Sequence, residues 1–277
     1  MSASASLRNE IFAGNRAVGR IEFAAAASSG VSRRTRVHEA GALRVRFPNG
    51  DGGALDAVIV NTAGGMTGGD RFSIEVKAGP GARLTVTTAA AEKIYRSLGP
   101  DTEIGVKLDV GAGGALAWLP QETILFDQVR LRRTIDVALA PGAHLLLAEA
   151  IVFGRSAMGE TVNSGHFSDR WRVRVDGRLI FAETIRLDGK IAQRLAERAA
   201  AGGSVALASM IAVPGSDDTI AAIRAMAQDF AGEVGVSAWN GIAVVRFVAP
   251  DGAALRHDLI AALAAFRTTP LPRLWLN

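Results

Sequence analysis

The chain contains no cysteine. That excludes disulfides and thiolate metal sites, and the expected setting is cytoplasmic. Aromatic rings are scarce: one Tyr and four Trp leave few platforms for stacking sugars or bases. The four histidines, His38, His144, His166 and His257, are too far apart in sequence to form an HxH or HxxxH ligand pair. His257, beside a helical apolar stripe, reads as a structural or surface residue. No GxSxG elbow marks a serine nucleophile, and no Lys-Ser or Lys-Thr follows a glycine loop as a phosphate cradle requires. No apolar run approaches the roughly 18 residues that cross a bilayer. Phe23–Ser29 is too short for a signal-peptide core, and Arg20 and Glu22 interrupt its upstream flank.

What is present is a chain of 277 residues, 49% hydrophobic and 21% charged, enough for a sizeable core in a single domain spanning residues 1–277. The net charge is +4 and is unevenly placed. Residues 1–46 hold eight Arg against three Glu, a surplus of five, and the rest of the chain is close to neutral. Few aromatics accompany these arginines, so nucleic acid is a poor partner for them. A basic rim meeting an acidic protein is the better reading, and solvated Arg on strand edges is the plain alternative.

Side-chain alternation with period two dominates to about residue 215. Val129, Leu131, Ile135, Val137 and Leu139 share one parity, and Arg130, Arg132, Thr134 and Asp136 the other. Trp171, Val173 and Val175 alternate with Arg172 and Arg174, and Asp176-Gly177 turns the chain into Leu179-Ile180-Phe181, a hairpin signal. Turn signals recur at 48–53, 79–81, 111–114, 141–142 and 202–203. This rhythm predicts a mainly β body. Two stretches depart from it. Ile220, Ile223, Ala227 and Phe230 predict one helix over 216–230, with Ser216 or Asp217 as N-cap. Leu255, Leu259, Leu263 and Phe266 predict a second, bounded by Asp251 and Pro270. Between them Val234–Trp239 and Ile242–Val248 flank Asn240-Gly241 as a hairpin. Residues 216–277 thus form a helix-hairpin-helix region packed on the β body. Ala89–Arg96 has helical propensity but follows a strand, and reads as strand with a short turn.

The decamer NTAGGMTGGD, Asn61–Asp70, follows the apolar run Ala57–Val60. Four glycines let the backbone turn, and the alternating Arg71–Val76 beyond makes it a strand-to-strand corner. Several carboxylates stand in apolar surroundings: Glu122 in Leu119–Phe126, Glu149 in Leu145–Phe153, Glu160 at the end of Gly154–Glu160, and Glu183 after Phe181-Ala182. An acidic group in such a run needs a partner, a metal or a wet cavity. Arg pairing, with Arg155 and Arg186 near in sequence, is the plain account. The sharper one is a polar path through a β core, whose oxygen ligands hold divalent cations weakly.

Asn61–Asp70, Thr87–Ser97, Leu119–Phe126 and Gly154–Glu160, in that order and spacing, resemble the UreD (UreH) family of urease accessory proteins. Gly41–Val45 and Leu271–Trp275 look like its usual ends. The resemblance covers nearly the whole chain. The chain departs from the family at Thr62-Ala63, where one or two prolines often stand. The resemblance implies a helically wound, β-solenoid-like body with two α-helices near the C-terminus, and a non-enzymatic chaperone of metallocentre assembly. Its implied partners are the urease apoprotein, UreF, the GTPase UreG through UreF, and UreE as nickel donor, with no nucleic acid and no membrane. No cofactor is implied as tightly bound; nickel is in transit through an internal tunnel. The matched-motif carboxylates Asp70, Glu92, Glu122 and Glu160 then become candidate lining residues. Glu149 and Glu183 are candidates from sequence context alone. Residues 216–277 are the expected part of the UreF surface. The competing class is a β-solenoid polysaccharide hydrolase or lyase with Asp70 and Glu122 as acid and base, disfavoured by the few aromatics and the lack of a regular repeat.

Overall fold

The computed structural model describes residues 16–48, 53–155 and 158–276. The Arg8 and Glu10 charges, the centre of the 48–53 turn signal and Ser156-Ala157 of the fourth motif lie outside the described residues. The chain runs through β1 (Val18–Ser28), β2 (Val31–Gly41), β3 (Leu43–Arg46), β4 (Leu55–Asn61), β5 (Arg71–Ala78), β6 (Arg83–Thr88), β7 (Glu92–Ile94), β8 (Thr102–Val110) and β9 (Ala115–Trp118). It continues through β10 (Thr123–Leu125), β11 (Val129–Leu139), β12 (His144–Phe153), β13 (Gly165–Val175), β14 (Arg178–Gly189), the short helix α1 (Ile191–Ala196) and β15 (Ala206–Val213). Helix α2 (Asp217–Ala225), β16 (Glu233–Trp239), β17 (Ile242–Ala249) and α3 (Gly252–Phe266) close the fold.

Strands β1, β5, β8, β11 and β13 stack in parallel in one sheet, and β4, β6, β9 and β12 in the other. The path alternates between the sheets, so each circuit adds a strand to both. The result is a mainly β solenoid of about four turns, with its two longer helices near the C-terminus. Antiparallel strands close the stack: β2 on β1 and β14 on β13 in one sheet, β3 on β4 and the run β15, β17, β16 beside β12 in the other. The hairpin turns fall where the sequence places them. Asp176 and Gly177 have φ of 47° and 74°, Asn240 and Gly241 50° and 76°, positive at both residues as a type I′ turn requires.

Two apolar cores result. In β12, Leu145, Leu147, Ile151 and Phe153 face the space between the sheets, and Leu146, Ala148, Ala150 and Val152 join a second cluster with α2 and α3. A strand buried on both faces reads as an unbroken apolar run, as Leu145–Phe153 does. The caps form as expected: Ser216 Oγ accepts from the Thr219 N–H at 3.2 Å and Asp251 Oδ1 from the Ala254 N–H at 2.8 Å. Helix α2 stops at Ala225, short of Phe230. Turns then carry the chain to Asp258 of α3, a buried carboxylate that accepts from the Ala231 and Gly232 N–H groups at 2.7 and 2.8 Å.

Candidate functional site

Three successive turns of the solenoid leave their sheet at the same level. Strand β4 stops at Asn61 and the chain next pairs at Met66, which bridges Ile94. Strand β6 stops at Thr88 before β7 resumes at Glu92, and β9 stops at Trp118 before β10 resumes at Thr123. Beside them β12 is unbroken, pairing with β9 by its first half and β10 by its second. Local chemistry explains the breaks. Pro120 has no N–H to give a ladder. Gly65 has φ of +143°, and a Cβ there would stand 2.5 Å from the Tyr95 ring and 2.9 Å from the Lys93 carbonyl oxygen. The parted segments are fastened across turns. The Gln121 N–H donates to Thr88 Oγ1 at 2.8 Å, the Glu92 N–H to the Glu122 carbonyl at 2.9 Å, and Asn61 Nδ2 to Glu92 Oε1 at 2.9 Å.

Behind this break lies a cavity of about 310 Å³ between the sheets. Phe72, Ile74, Ile104 and Val106 of the facing sheet supply apolar wall. Asn61 and Glu92 stand partly exposed at its outer end, Gln121 is a buried part of its wall, and Thr123, Arg133 and Glu149 form its buried inner end. The Gln121 Nε2 is buried with no hydrogen-bond partner among the described residues. Burial pushes the half-buried Glu92 carboxyl up to about 7, against the pull of Asn61 and the Lys93 amide. The outer end therefore carries a carboxyl poised between its neutral and charged forms near neutral pH.

The inner end is a charge network linking the two sheets. Arg133 of β11 gives Nε to Asp169 Oδ1 at 3.0 Å and Nη2 to Asp169 Oδ2 at 2.6 Å, a bidentate pair. It also binds Glu149 Oε2 of β12 through Nη1, and Trp118 Nε1 donates to Glu149 Oε1 at 2.8 Å. All three charged groups are buried. Burial opposes the Arg133 cation, and the Asp169 and Glu149 charges outweigh it, so the guanidinium is held more firmly protonated than usual. Burial pushes the Glu149 carboxyl up; Arg133 pulls it back and Asp169 pushes it again.

Of the sequence-predicted site residues, Glu92 and Glu149 meet at this cavity. Glu122 is half-buried, next to Gln121, and faces Arg256 at 3.5 Å. Asp70 is buried, with its two oxygens accepting from the main-chain N–H groups of Ala17 and Thr67, both at 2.8 Å, so it fastens the glycine corner. Glu160 pairs with Arg155 at 2.7 Å, and Glu183 with Arg246 at 2.6 Å rather than with Arg186, which reaches Asp188. Among the described residues no three His, Asp or Glu side chains form a metal-holding cluster. Sequence reasoning missed Arg133 and Asp169. Their signal was parity: each occupies the inward phase of its strand, in line with Leu131 and Ile135, or Phe167 and Trp171.

Fold and cavity together define a class: a β-solenoid scaffold, one sheet covered by helices, with a cavity of polar ends between the sheets. The model of the UreD urease accessory protein family matches residues 17–276. Among relatives named urease accessory protein UreD, one from Rhodopseudomonas palustris (strain HaA2) is 56% identical over 96% of both chains. One from Bradyrhizobium diazoefficiens is 54% identical over the full length of both. The chain belongs to the UreD family. No helix among the described residues is long and apolar enough to cross a membrane.

Proposed function

We propose that this chain is a scaffold of urease maturation: it binds the urease apoprotein, recruits UreF and through it UreG, and conducts nickel, delivered by a donor such as UreE, through the cavity between its sheets. The observation that carries the reading is the convergence of three segments that resemble the family, Asn61–Gly65, Thr88–Lys93 and, within Leu119–Phe126, Pro120-Gln121, on one cavity with a carboxyl at each end. Nickel is cargo here, and the donors suit cargo. Carboxylate, amide and water oxygens hold a divalent cation weakly and release it fast, whereas a store needs thiolate or grouped imidazole. Glu92 at the outer end and Glu149 at the inner end mark a path; Glu122 pairs with Arg256 beside Gln121 of its wall. A mean hydropathy of +0.21 fits a chain that works in complex, and solubility is expected to rise on co-expression with UreF. The test is a gene deletion complemented by wild type or by Ala91→Trp, which fills the cavity mouth. Wild type restores active, nickel-loaded urease; the plugged variant binds UreF in a pull-down but leaves urease nickel-poor. Full activity and nickel content in the uncomplemented deletion would overturn the assignment, and full loading by the plugged variant would overturn the route.

A further inference from the structure

The closing residues Leu271–Trp275 sit far from the cavity in sequence, yet they are tied to its rim. Trp275 is buried and its Nε1 donates to the Leu119 carbonyl at 3.0 Å. Arg256 of α3 lies over the Trp275 ring at 5.2 Å and gives Nη2 to the Leu274 and Trp275 carbonyls, both at 3.0 Å. Its Nη1 reaches the other way, to Gln121 Oε1 at 2.7 Å and toward Glu122 Oε2 at 3.5 Å. One guanidinium thus joins the last helix, the C-terminal segment and the Leu119–Glu122 bend. The ends of that bend keep main-chain bonds to the neighbouring turn, from the Leu119 N–H to the Val86 carbonyl and from the Glu92 N–H to the Glu122 carbonyl; between them Pro120 has no N–H to give, so side-chain bonds at Gln121, to Thr88 and to Arg256, place the middle of the bend. Gln121 is both the residue held and a wall of the cavity; Arg256 takes its Oε1, and its Nε2 is buried with no hydrogen-bond partner among the described residues.

We propose that Arg256 is the positioning residue of the cavity entrance: with Trp275 it pins the Leu119–Glu122 bend, so that the entrance is open or narrow according to how the C-terminal segment is seated on α3. The planar fork is essential, because one group must serve carbonyls on one side and an amide oxygen on the other; a lysine ammonium cannot span both. The C-terminal segment is therefore a mechanical link between the helical face of the molecule and its interior. A partner that shifts α3 or the tail changes access to the cavity without touching it. Only the final readout below rests on the proposed nickel route.

The absence of native cysteine gives a clean test. Val106→Cys places one thiol on the cavity wall, and its rate of modification by a small cationic methanethiosulfonate reports entrance opening. In Val106→Cys/Arg256→Met, labelling is expected to accelerate at least about tenfold, the effect on a local opening equilibrium of losing one charge-assisted hydrogen bond. The circular dichroism spectrum and a cooperative melt should be retained. Arg256→Lys should recover only part of the protection, and amide exchange over residues 119–122 should quicken in step. Equal labelling rates in folded wild-type and Arg256→Met backgrounds would overturn the proposal. Should Arg256→Met fail to fold, Trp275→Phe, which removes only the indole donor to Leu119, must raise the rate in the same direction; no change there overturns it equally. Faster labelling with unaltered nickel loading of urease would leave Arg256 in its role and remove the cavity from the nickel route.

Discussion

Glu92→Gln should stabilise this protein, by an amount set by pH. The side chain is half-buried at the cavity mouth, and burial raises its carboxyl from 4.5 to about 7. The substitution keeps one oxygen for the Asn61 amide, which donates at 2.9 Å, and replaces the other with an amide NH2, which does not ionise. The folded-state value lies above the unfolded one, so the sign is that of a penalty. Below about pH 4.5 both states are protonated and the group costs nothing. Between about 4.5 and 7 the unfolded chain ionises first and the cost grows; above about 7 it is constant. At about 1.4 kcal/mol per unit, the full shift corresponds to roughly 3 kcal/mol as an upper value. Urea unfolding of both proteins across about pH 4.5 to 8 should give curves that meet at the acid end and part toward neutrality, the variant above. A gap that does not change with pH, or a wild type that is the more stable at about pH 8, refutes the argument. On the proposed function the same variant loads less nickel into urease, so stability and delivery move in opposite directions.

Arg133→Met strands the buried Glu149 and Asp169 carboxylates and should cost roughly 3–5 kcal/mol in urea unfolding; a loss under about 1 kcal/mol would show that the network is not the tie between the sheets. Glu122→Ala combined with Glu160→Ala removes two partly exposed pairs, at 3.5 and 2.7 Å from their arginines. The cost should be at most about 1 kcal/mol per pair, so the melt stays near wild type, and any fall in nickel loading is then a delivery defect. Asp258→Asn leaves one of two main-chain donors poorly met, costs roughly 1–3 kcal/mol and speeds amide exchange at Ala231 and Gly232. Unchanged exchange there would mean that α3 does not anchor the segment.

Features generated by neighbours in sequence were legible before the structure. The Asp176-Gly177 and Asn240-Gly241 hairpins, the Ser216 and Asp251 caps and the alternation of β11 and β13 each follow from a few adjacent residues. Helix α1, six residues long, is too short to show a period. The cavity could be read only in part. Glu149 stood out as a carboxylate in an apolar run, but its partner Arg133 lies 16 residues before it, and Arg133 in turn reaches Asp169 36 residues on, on strands whose spacing is decided by coil stacking. The convergence of Asn61, Glu92 and Gln121 has the same origin: stacking places successive turns at one level, and no local pattern records it. Arg256 belongs to a helix whose sequence gives no hint that its outward cation meets Gln121 across 135 positions.

The reversed strands at the ends of the solenoid have a consequence for assembly. A stack of parallel coils is in principle a seed that recruits further coils, because its last turn offers each new one the template that it met itself. Here β2 and β14 run against their neighbours in one sheet, as β3 and β15 do in the other. A newcomer would have to find a parallel partner in both sheets at once and meets a reversed strand in each. The exposed Arg33, Arg34 and Arg36 along β2 add repulsion between like ends. The molecule is thus a filament stopped at a fixed length, its register sealed at both ends.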